Sequence, residues 1–485
     1  MTTDFDKGDK YFNEVIQRGD EASGSFLNAC KEGNTASKAH YLNMLNPDGS
    51  IEINAHPNRT HVTKLKAVKE TIDGVGTKVQ IYTNQFENIF QSREKKEIDG
   101  EIAKEQATEL WERMLMDLIA MNADDLRGGE LAIGATNIID INHLKGARGH
   151  LFQDSMAEAM KNVIQTTGIA MVAGETAVLG MSHEASRIYT AAKQIIDDIR
   201  NILDNRNGEL GVFKPGKIPA CVKEIIDTFD DTMKIKLEEI SFNIGGTCTG
   251  LTTEHEKLAP LKDGQIIVGF QEIPADGIIG PRSNGVTKIR EDMKAIMGGG
   301  REDKTFEDFL EKIGPEKSVK IPEEVKYICR SKKMRDIATG KTTVFNPFIA
   351  GNLLAGVETE PSIGISALIH VTGNPLKKIS EGINKDKKTH YTAYLDISNM
   401  PAPQIITLLQ AALDIPDEQA INKWNMGVPY VIVCDNDGSH IVAIHAAERN
   451  GFTAKMIGSI KKQSEGETGK NTITGVGLNK SSITF

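Results

Sequence analysis

The chain has few aromatic residues, 5% of the total, too few to suggest a base-stacking platform for single-stranded nucleic acid. It has no surplus of positive charge. Its 57 Lys and Arg stand against 67 Asp and Glu, a net −10, which argues against general binding to nucleic acid or anionic lipid. A local basic pocket for a phosphorylated metabolite remains compatible with that balance. The five cysteines, Cys30, Cys221, Cys248, Cys329 and Cys434, are odd in number, and none has the spacing of a zinc or redox motif. Scattered reduced thiols fit a reducing compartment. No run approaches the roughly 18 consecutive apolar residues of a membrane span. The opening MTTDFDKGDKYFNE is acidic and polar, without the apolar core of a signal peptide. Cytoplasmic location is therefore expected, with no nucleic-acid or membrane partner. No repeat of fixed period is visible.

What is present points to a large soluble enzyme-sized chain. Of 485 residues, 39% are hydrophobic and 26% charged, enough for sizeable cores. At roughly 150 residues per domain, two large or three smaller domains fit. The 45 glycines favour turns and close backbone approaches. The second half of residues 62–73 reads as a strand ending at Asp73, and 85–105 as a charged, solvated helix face or loop. Apolar positions recurring at three and four, including Leu110, Trp111, Met114 and Leu118, predict a helix over about 103–121 with Trp111 in the core. A strand is expected at 129–142, a helix at 154–166 and a short strand at 168–176. Two further helical patterns follow at 187–204 and 221–240. Strands are expected at 240–251, 264–270 and 428–435, a helix near 402–414, and a helix, turn and final strand over 440–462. The charged, glycine-rich run 291–343 reads as exposed helices and loops. The tail from about 463 reads as loose, its last residues able to pair as an edge strand. Strands alternating with helices indicate an α/β organisation.

Three acidic motifs carry the chemistry. Asp73-Gly74-Val75-Gly76-Thr77-Lys78 sits at a strand end. Its two glycines let backbone N–H groups approach an anion, while Thr77 adds a hydroxyl and Lys78 a charge. Asp73 suits Mg²⁺. The glycine spacing is not that of a Walker A loop, and a purely structural turn is the alternative. Asn122-Ala123-Asp124-Asp125 ends an amphipathic helix, where acids oppose the helix dipole unless a cation compensates; a water-facing acidic turn is the alternative. Glu175, in Ala173-Gly174-Glu175-Thr176, is either a third metal ligand or a helix-start carboxylate. Together Asp73, Asp125 and Glu175 offer the oxygen ligands a Mg-nucleotide needs. His143, His150 and His183 are not spaced as zinc ligands.

The order of these motifs, followed by Ser283-Asn284-Gly285, His370-Val371-Thr372-Gly373 and Asn425-Met426-Gly427, resembles the aminoimidazole ribonucleotide synthetases, the phosphoribosylformylglycinamidine cyclo-ligases. That family's patterns are DGVGTK, NDL, GGETA, HSNG, HLTGGG and FNxGxG, and the resemblance spans about 62–462 with gaps. The departures are Asp124 for the asparagine of NDL, Arg282 for the histidine of HSNG, Asn374-Pro375 for two glycines, and Trp424 for the phenylalanine of FNxGxG. The family's N-terminal glycine-rich loop is not visible between 30 and 60. The resemblance implies a two-domain α/β (α+β type) fold whose N-terminal mixed sheet pairs across a homodimer. It divides the chain into a segment 1–60, an N-terminal domain 61–263 with a helical insertion about 187–240, and a C-terminal domain 264–485. It implies ATP-dependent closure of formylglycinamidine ribonucleotide to aminoimidazole ribonucleotide, with ATP and Mg²⁺ as cofactors and a phosphorylated small molecule as substrate. By the same resemblance Asp73, Lys78 and Asp125 are catalytic. Gly74, Gly76, Thr77 and Lys78 contact ATP, and Asp73, Asp125 and Glu175 hold metal. Arg282, Asn284, Gly285, His370, Thr372 and Gly373 face the substrate. Arginine is permanently charged, so Arg282 would bind an anion rather than shuttle a proton; a salt bridge outside the site is the alternative. A related ATP-dependent enzyme on another amide or acid, and a nucleotide-binding protein without turnover, are the alternative functions.

Overall fold

The computed structural model describes residues 50–56, 59–75, 78–126, 129–142, 144, 146–178, 240, 242–253, 258–282, 286–298, 304–354, 363–385, 389–464 and 469–484. The helical pattern at 187–204 and nearly all of that at 221–240 lie outside these residues. So do Cys30, Cys221, His143 and His183.

The first half forms a sheet from β1 (Ser50–His56), β2 (Arg59–Gly74), β3 (Leu131–Ile141), β4 (Ala170–Val178) and β5 (Phe242–Thr253). Its order is β1-β2-β5-β3-β4, with β3 and β4 parallel and the other pairs antiparallel. Helices α1 (Lys78–Glu94), α2 (Gly100–Ala123) and α3 (Gly146–Thr167) accompany it. Alternation along β5 puts Phe242, Ile244 and Cys248 into the helix-side core and leaves Asn243 exposed, as a half-covered strand requires. Helix α2 runs close to the expected 103–121, starting behind Asp99, whose carboxylate accepts the Ile102 N–H. The charged run starting at 85 conceals more than a solvated face. Tyr82, Phe86 and Phe90 of α1 are fully buried, and Phe86 packs against Trp111, Phe152 and Phe242 at ring centroid distances of 5.4–5.9 Å. One apolar stripe on α1 suffices for this, and the charges between its members hid it.

The second sheet has the order β12-β11-β8-β10-β6-β9-β7. Its strands are β6 (Ile266–Gln271), β7 (Ile365–His370), β8 (Tyr391–Asp396), β9 (Tyr430–Cys434), β10 (Thr453–Lys462), β11 (Thr472–Val476) and β12 (Ser481–Thr484). β6, β7 and β9 are buried at every position, hence their unbroken apolar runs. Helices α4 (Val286–Met297), α5 (Pro375–Ile383) and α6 (Gln404–Leu413) contribute to the main core, and α7 (Ser439–Arg449) to a second one. The run 291–343 is not an exposed stretch. Met293 and Met297 of α4, Ile321 between two helices, and the short helices carrying Phe306, Phe309, Met334 and Ile337 all enter the main core, the short helices being too brief to show a clear period. The described residues of the tail are not loose, and the last of them pair as the expected edge strand. β11 pairs parallel with β8, and β12 closes an edge hairpin. Buried Asp417 holds that hairpin through the Ser481 hydroxyl at 2.6 Å and the Asn479 N–H at 3.2 Å.

The halves interlock. The first sheet's last strand ends at Thr253 and the second sheet begins at Ile266, but residues 342–350 return to the first half. Val344 joins its helix-side core, and Ala350, in the π-helix Pro347–Leu354, packs with Leu131, Ile133 and Leu251. The Asn346 side chain accepts from Ala132 N–H at 2.7 Å and donates to Glu130 C=O at 2.8 Å. The α/β expectation therefore holds, as does the expectation that Trp111 is core: it is fully enclosed and donates to the Phe152 carbonyl at 3.2 Å. Trp111→Ala is expected to cost about 3–5 kcal/mol in denaturant unfolding, with the midpoint falling accordingly.

Candidate active site

Strand β2 delivers Asp73 to the surface. Its carboxylate accepts the following Gly74 N–H at 2.8 Å, which closes the strand end. At this level β5 comes very close to β3: a Cβ at Gly246 would stand 2.3 Å from the Thr136 carbonyl, so only glycine fits. Gly76 and Thr77 lie outside the described residues.

Lys78 opens α1 and turns inward. Its ammonium is fully buried and donates to both Asp117 oxygens at 2.7 Å. Asp117 also accepts from the Tyr82 hydroxyl at 2.8 Å and from Thr342 of the second half. Burial pushes the Lys78 ammonium below its ordinary value against the opposing pull of Asp117. Burial, reinforced by Asp117, pushes the Tyr82 phenol well up. Lys78 thus presents no charge to the open surface. It ties the start of α1 to α2 and, through Thr342, to the second half.

The adjacent carboxylates at the end of α2 divide. Asp124 is fully buried and accepts from Phe345 N–H at 2.9 Å, Asn346 N–H at 2.8 Å and Arg282 Nη2. Arg282 sits at φ +56° with its guanidinium 4.8 Å from the Phe345 ring centroid. Of the two roles open to Arg282, the structure shows an internal ion pair that also stacks on an aromatic ring. Asp125 is only half-buried, and its Oδ1 lies 2.9 Å from His370 Nδ1. His370 is buried at the end of β7. Thr372 and Gly373 follow, half-buried. The departure Asn374-Pro375 has a local reason: Asn374 caps α5 by accepting from Lys377 N–H at 3.1 Å, and Pro375 takes the first turn, where its missing N–H costs nothing.

Asp73 and Asp125 stand at different levels along β2: Asp73 faces Gly246, which lies against Leu118 of α2, whereas Leu126, next to Asp125, lies against Gly250, four residues further along β5. Thr71, on the same side of β2 as Asp73, donates to the Asn122 carbonyl at 2.8 Å, three residues before Asp125. Glu175 is elsewhere. In the register Asp73 faces Gly246, Gly246 faces Asn137 and Asn137 faces Gly174. Three strand spacings of about 4.8 Å put its backbone roughly 14 Å from Asp73. Its side chain, with Ser283, Asn284 and Gly285, falls outside the described residues. Among the described residues no group of three or more His, Cys, Asp or Glu gathers as a metal site. Asp117, Gln271 and Glu272 were not anticipated. Asp117 carries no signal within its helix pattern beyond being an acid on a buried stripe.

On the sheet face away from α2, an open groove of about 570 Å³ is lined by Ile72, Thr136, Ile138, Asp140, Asn243 and Thr247, among others. Ile72 is 82% exposed and Ile138 44%.

No protein-family model matches the chain. It is 29% identical over 102 residues to the phosphoribosylformylglycinamidine cyclo-ligase of Methanocaldococcus jannaschii, and 33% identical over 101 residues to that of Staphylococcus aureus. Each match covers 21% of this chain and only 27–28% of the relative's length, so the chain aligns with little more than a quarter of these curated relatives. Among solved structures it is similar to the hydrogenase maturation protein HypE in complex with ATP, with a TM-score of 0.41, 10% identity, and 92% of this chain and 91% of that one covered. Among the described residues no helix is long and apolar enough to cross a membrane.

The buried pair at the root of the site gives a measurable expectation. Lys78→Met leaves Asp117 charged and enclosed, and should cost about 3–5 kcal/mol by denaturant titration. The double variant Lys78→Met/Asp117→Leu should recover much of it, which separates a structural pair from a phosphate contact. Over about one fifth of its length, the chain resembles the phosphoribosylformylglycinamidine cyclo-ligases, as a diverged relative.

Proposed function

We propose that the protein is an ATP-dependent enzyme that closes formylglycinamidine ribonucleotide to aminoimidazole ribonucleotide, with the reaction centre around Asp125 and His370 and with Asp73 contributing from the end of β2. The observation that carries this reading is the division of the adjacent carboxylates. Asp124 is consumed by structure, whereas Asp125 stays half-exposed beside a histidine from the other half, in a chain whose sequence resembles the cyclo-ligases.

In this reaction the γ-phosphoryl group of ATP passes to the formyl oxygen, and the bond to ADP breaks as the new P–O bond forms. The ring-forming nitrogen then attacks the activated carbon, inorganic phosphate leaves, and the nitrogen loses a proton. Such chemistry needs positioning and charge neutralisation more than a covalent nucleophile. Asp73 and Asp125 are hard oxygen donors suited to Mg²⁺, which when bound neutralises triphosphate charge. Gly76 and Thr77 supply backbone and hydroxyl contacts to phosphate, the Gly74 N–H being taken by Asp73. His370 orients Asp125 by sharing its Oδ1, and Asn284, Gly285, Thr372 and Gly373 belong on the substrate side. A domain boundary near 264 and a homodimer complete the reading, the second copy covering the exposed face around Ile72 and Ile138.

One observation favours a second reading, a related ATP-dependent enzyme acting on another amide or acid. Arg282 replaces the family histidine and is committed to Asp124, so no proton carrier stands at that position. ATP turnover that appears only on adding formylglycinamidine ribonucleotide supports the first reading; turnover with a different amide, and none with this one, supports the second.

Asp125→Asn should remove most turnover while leaving the unfolding midpoint within about a degree or two, because the amide oxygen can still meet His370 and the fully buried charge is that of Asp124. Near-wild-type activity with saturating Mg-ATP would overturn its assignment. Introducing two charges with Ile72→Asp and Ile138→Asp should convert a dimer to a monomer, read by light scattering after gel filtration; a variant that remains dimeric removes this face from the interface.

A further inference from the structure

Glu272 directly follows β6 and lies in none of the motifs that point to a ligand. The chain is fixed just before it, where the Gln271 amide donates at 2.8 Å to both the Pro401 and Gly427 carbonyls. Glu272 is half-buried and lines a narrow crevice with Arg282, Lys341 and Asn425. It has no hydrogen-bond or ion-pair partner among the described residues, and neither of its oxygens is fully enclosed. Burial pushes its carboxyl above the ordinary value, against the opposing pull of Arg282 and Lys341. Carboxylates taken out of water are normally paired. One that is left open, unpaired and more basic than usual is suited to proton transfer.

Its place in the second sheet ties it to the Asp125–His370 pair. Phe270 and His370 both stand opposite Tyr430, one on each side of β9. β6 and β7 are each antiparallel to β9, so they run in the same direction. Glu272 and Thr372, two residues further on, therefore leave the same end of the sheet at the same level. Two strand spacings of about 4.8 Å put their backbones roughly 10 Å apart. The side chains between them are in contact. The His370 ring lies 6.3 Å from that of Tyr430, Tyr430 lies 5.7 Å from Phe345, and the Arg282 guanidinium lies 4.8 Å from the Phe345 ring. One row of packed groups thus runs from Asp125 and His370 to the wall that Glu272 shares with Arg282.

The other charged groups at this end are committed. Asp124 has its oxygens filled by the Phe345 and Asn346 N–H groups and by Arg282. Asp125 shares an oxygen with His370. Arg282 stands where the family pattern has histidine, and a guanidinium does not give up its proton. We propose that Glu272 is the general base of the ring-closing step, taking the proton that the attacking nitrogen loses. Its role rests on the ATP-dependent ring closure proposed above, and it supplies the proton carrier that Arg282 cannot be. As the nitrogen lone pair forms the new C–N bond, the C–O bond breaks and its electron pair leaves with inorganic phosphate. The N–H proton passes to a Glu272 oxygen, which then releases it to water.

The test follows single turnovers of the full chain with Mg-ATP and formylglycinamidine ribonucleotide, measuring ADP and ring product separately. Glu272→Gln should form ADP in the first turnover within about twofold of the wild-type rate, yet make ring product roughly 100-fold or more slowly, the usual worth of a positioned base. Glu272→Ala should be equally slow and should regain product formation in proportion to added formate, a small carboxylate able to take the vacated space. The proposal is overturned if Glu272→Gln makes product within about threefold of the wild-type rate, or if ADP and product fall by the same factor. A Glu272→Ala variant that formate leaves unchanged overturns it as well. The two readings fail differently. Wild-type product together with a fully active Glu272→Gln removes the role of Glu272 alone. A wild-type chain that makes no ring product from this substrate removes the ring-closing reading, and the role of Glu272 with it.

Discussion

The buried carboxylate of Asp124 is the constraint on which the rest of the structure depends. A charge with no access to water is tolerated only when its lone pairs are filled and its charge is matched. Asp124 meets both conditions with groups from the other half of the chain: two consecutive backbone N–H donors, of Phe345 and Asn346, and the Arg282 guanidinium. Arg282 is stacked on Phe345, and Asn346 completes the backbone of Glu130 and Ala132. One carboxylate thereby fixes where residues 342–350 enter the first half. The neighbouring Asp117 does the same work one helical stretch earlier, joining Lys78, Tyr82 and Thr342. The end of α2 is held rigidly between the two halves, and Asp125 projects from that rigid end. A metal or phosphate site gains from being placed on such an element, because its geometry is then set by packing rather than by the ligand.

The elements with a single strong period were legible in the sequence. Helix α2, strands β3 and β4 and the closing run through α7 and β10 follow directly from apolar spacing. Where the signal was compositional, it misled. The charges near 85–105 and across 291–343 sit on the outer sides of helices whose inner sides carry Phe86, Phe90, Phe306 and Phe309. Helices of four to eight residues, such as those at 306–313 and 315–318, complete too few turns for a stripe to stand out. The edge pairing of the last residues was foreseen, but not its anchor, because Asp417 lies 64 residues before Ser481.

The motifs were legible in the sequence, but not the direction in which their charges face. Lys78 follows a glycine-rich strand end, and Arg282 precedes a Ser-Asn-Gly turn; both positions suggest cations aimed at an anion. In the folded chain each first answers an internal carboxylate, 39 residues away for Lys78 and 158 for Arg282. Nothing local encodes such partners. A permanently charged residue beside a ligand motif is ambiguous until its nearest opposite charge is known. Gln271 shows the same limit from the polar side, since its role depends on two carbonyls 130 and 156 residues away.

The departures from the family patterns form a connected set once the contacts are known. Asp124 where the pattern has asparagine, and Arg282 where it has histidine, are the two halves of one ion pair. Either change alone would bury an unmatched charge, which is costly; together they replace a neutral arrangement by a paired one. The change at 374–375 is a helix cap followed by a first-turn proline, which stiffens the turn after His370 where two glycines would have left it free. Both changes act on the mounting of the site, one below Asp125 and one beyond its partner His370. The pair Asp125 and His370, which bridges the two halves at 2.9 Å, is therefore held from both sides by features in which this chain departs from the pattern. What has diverged is the support of that pair.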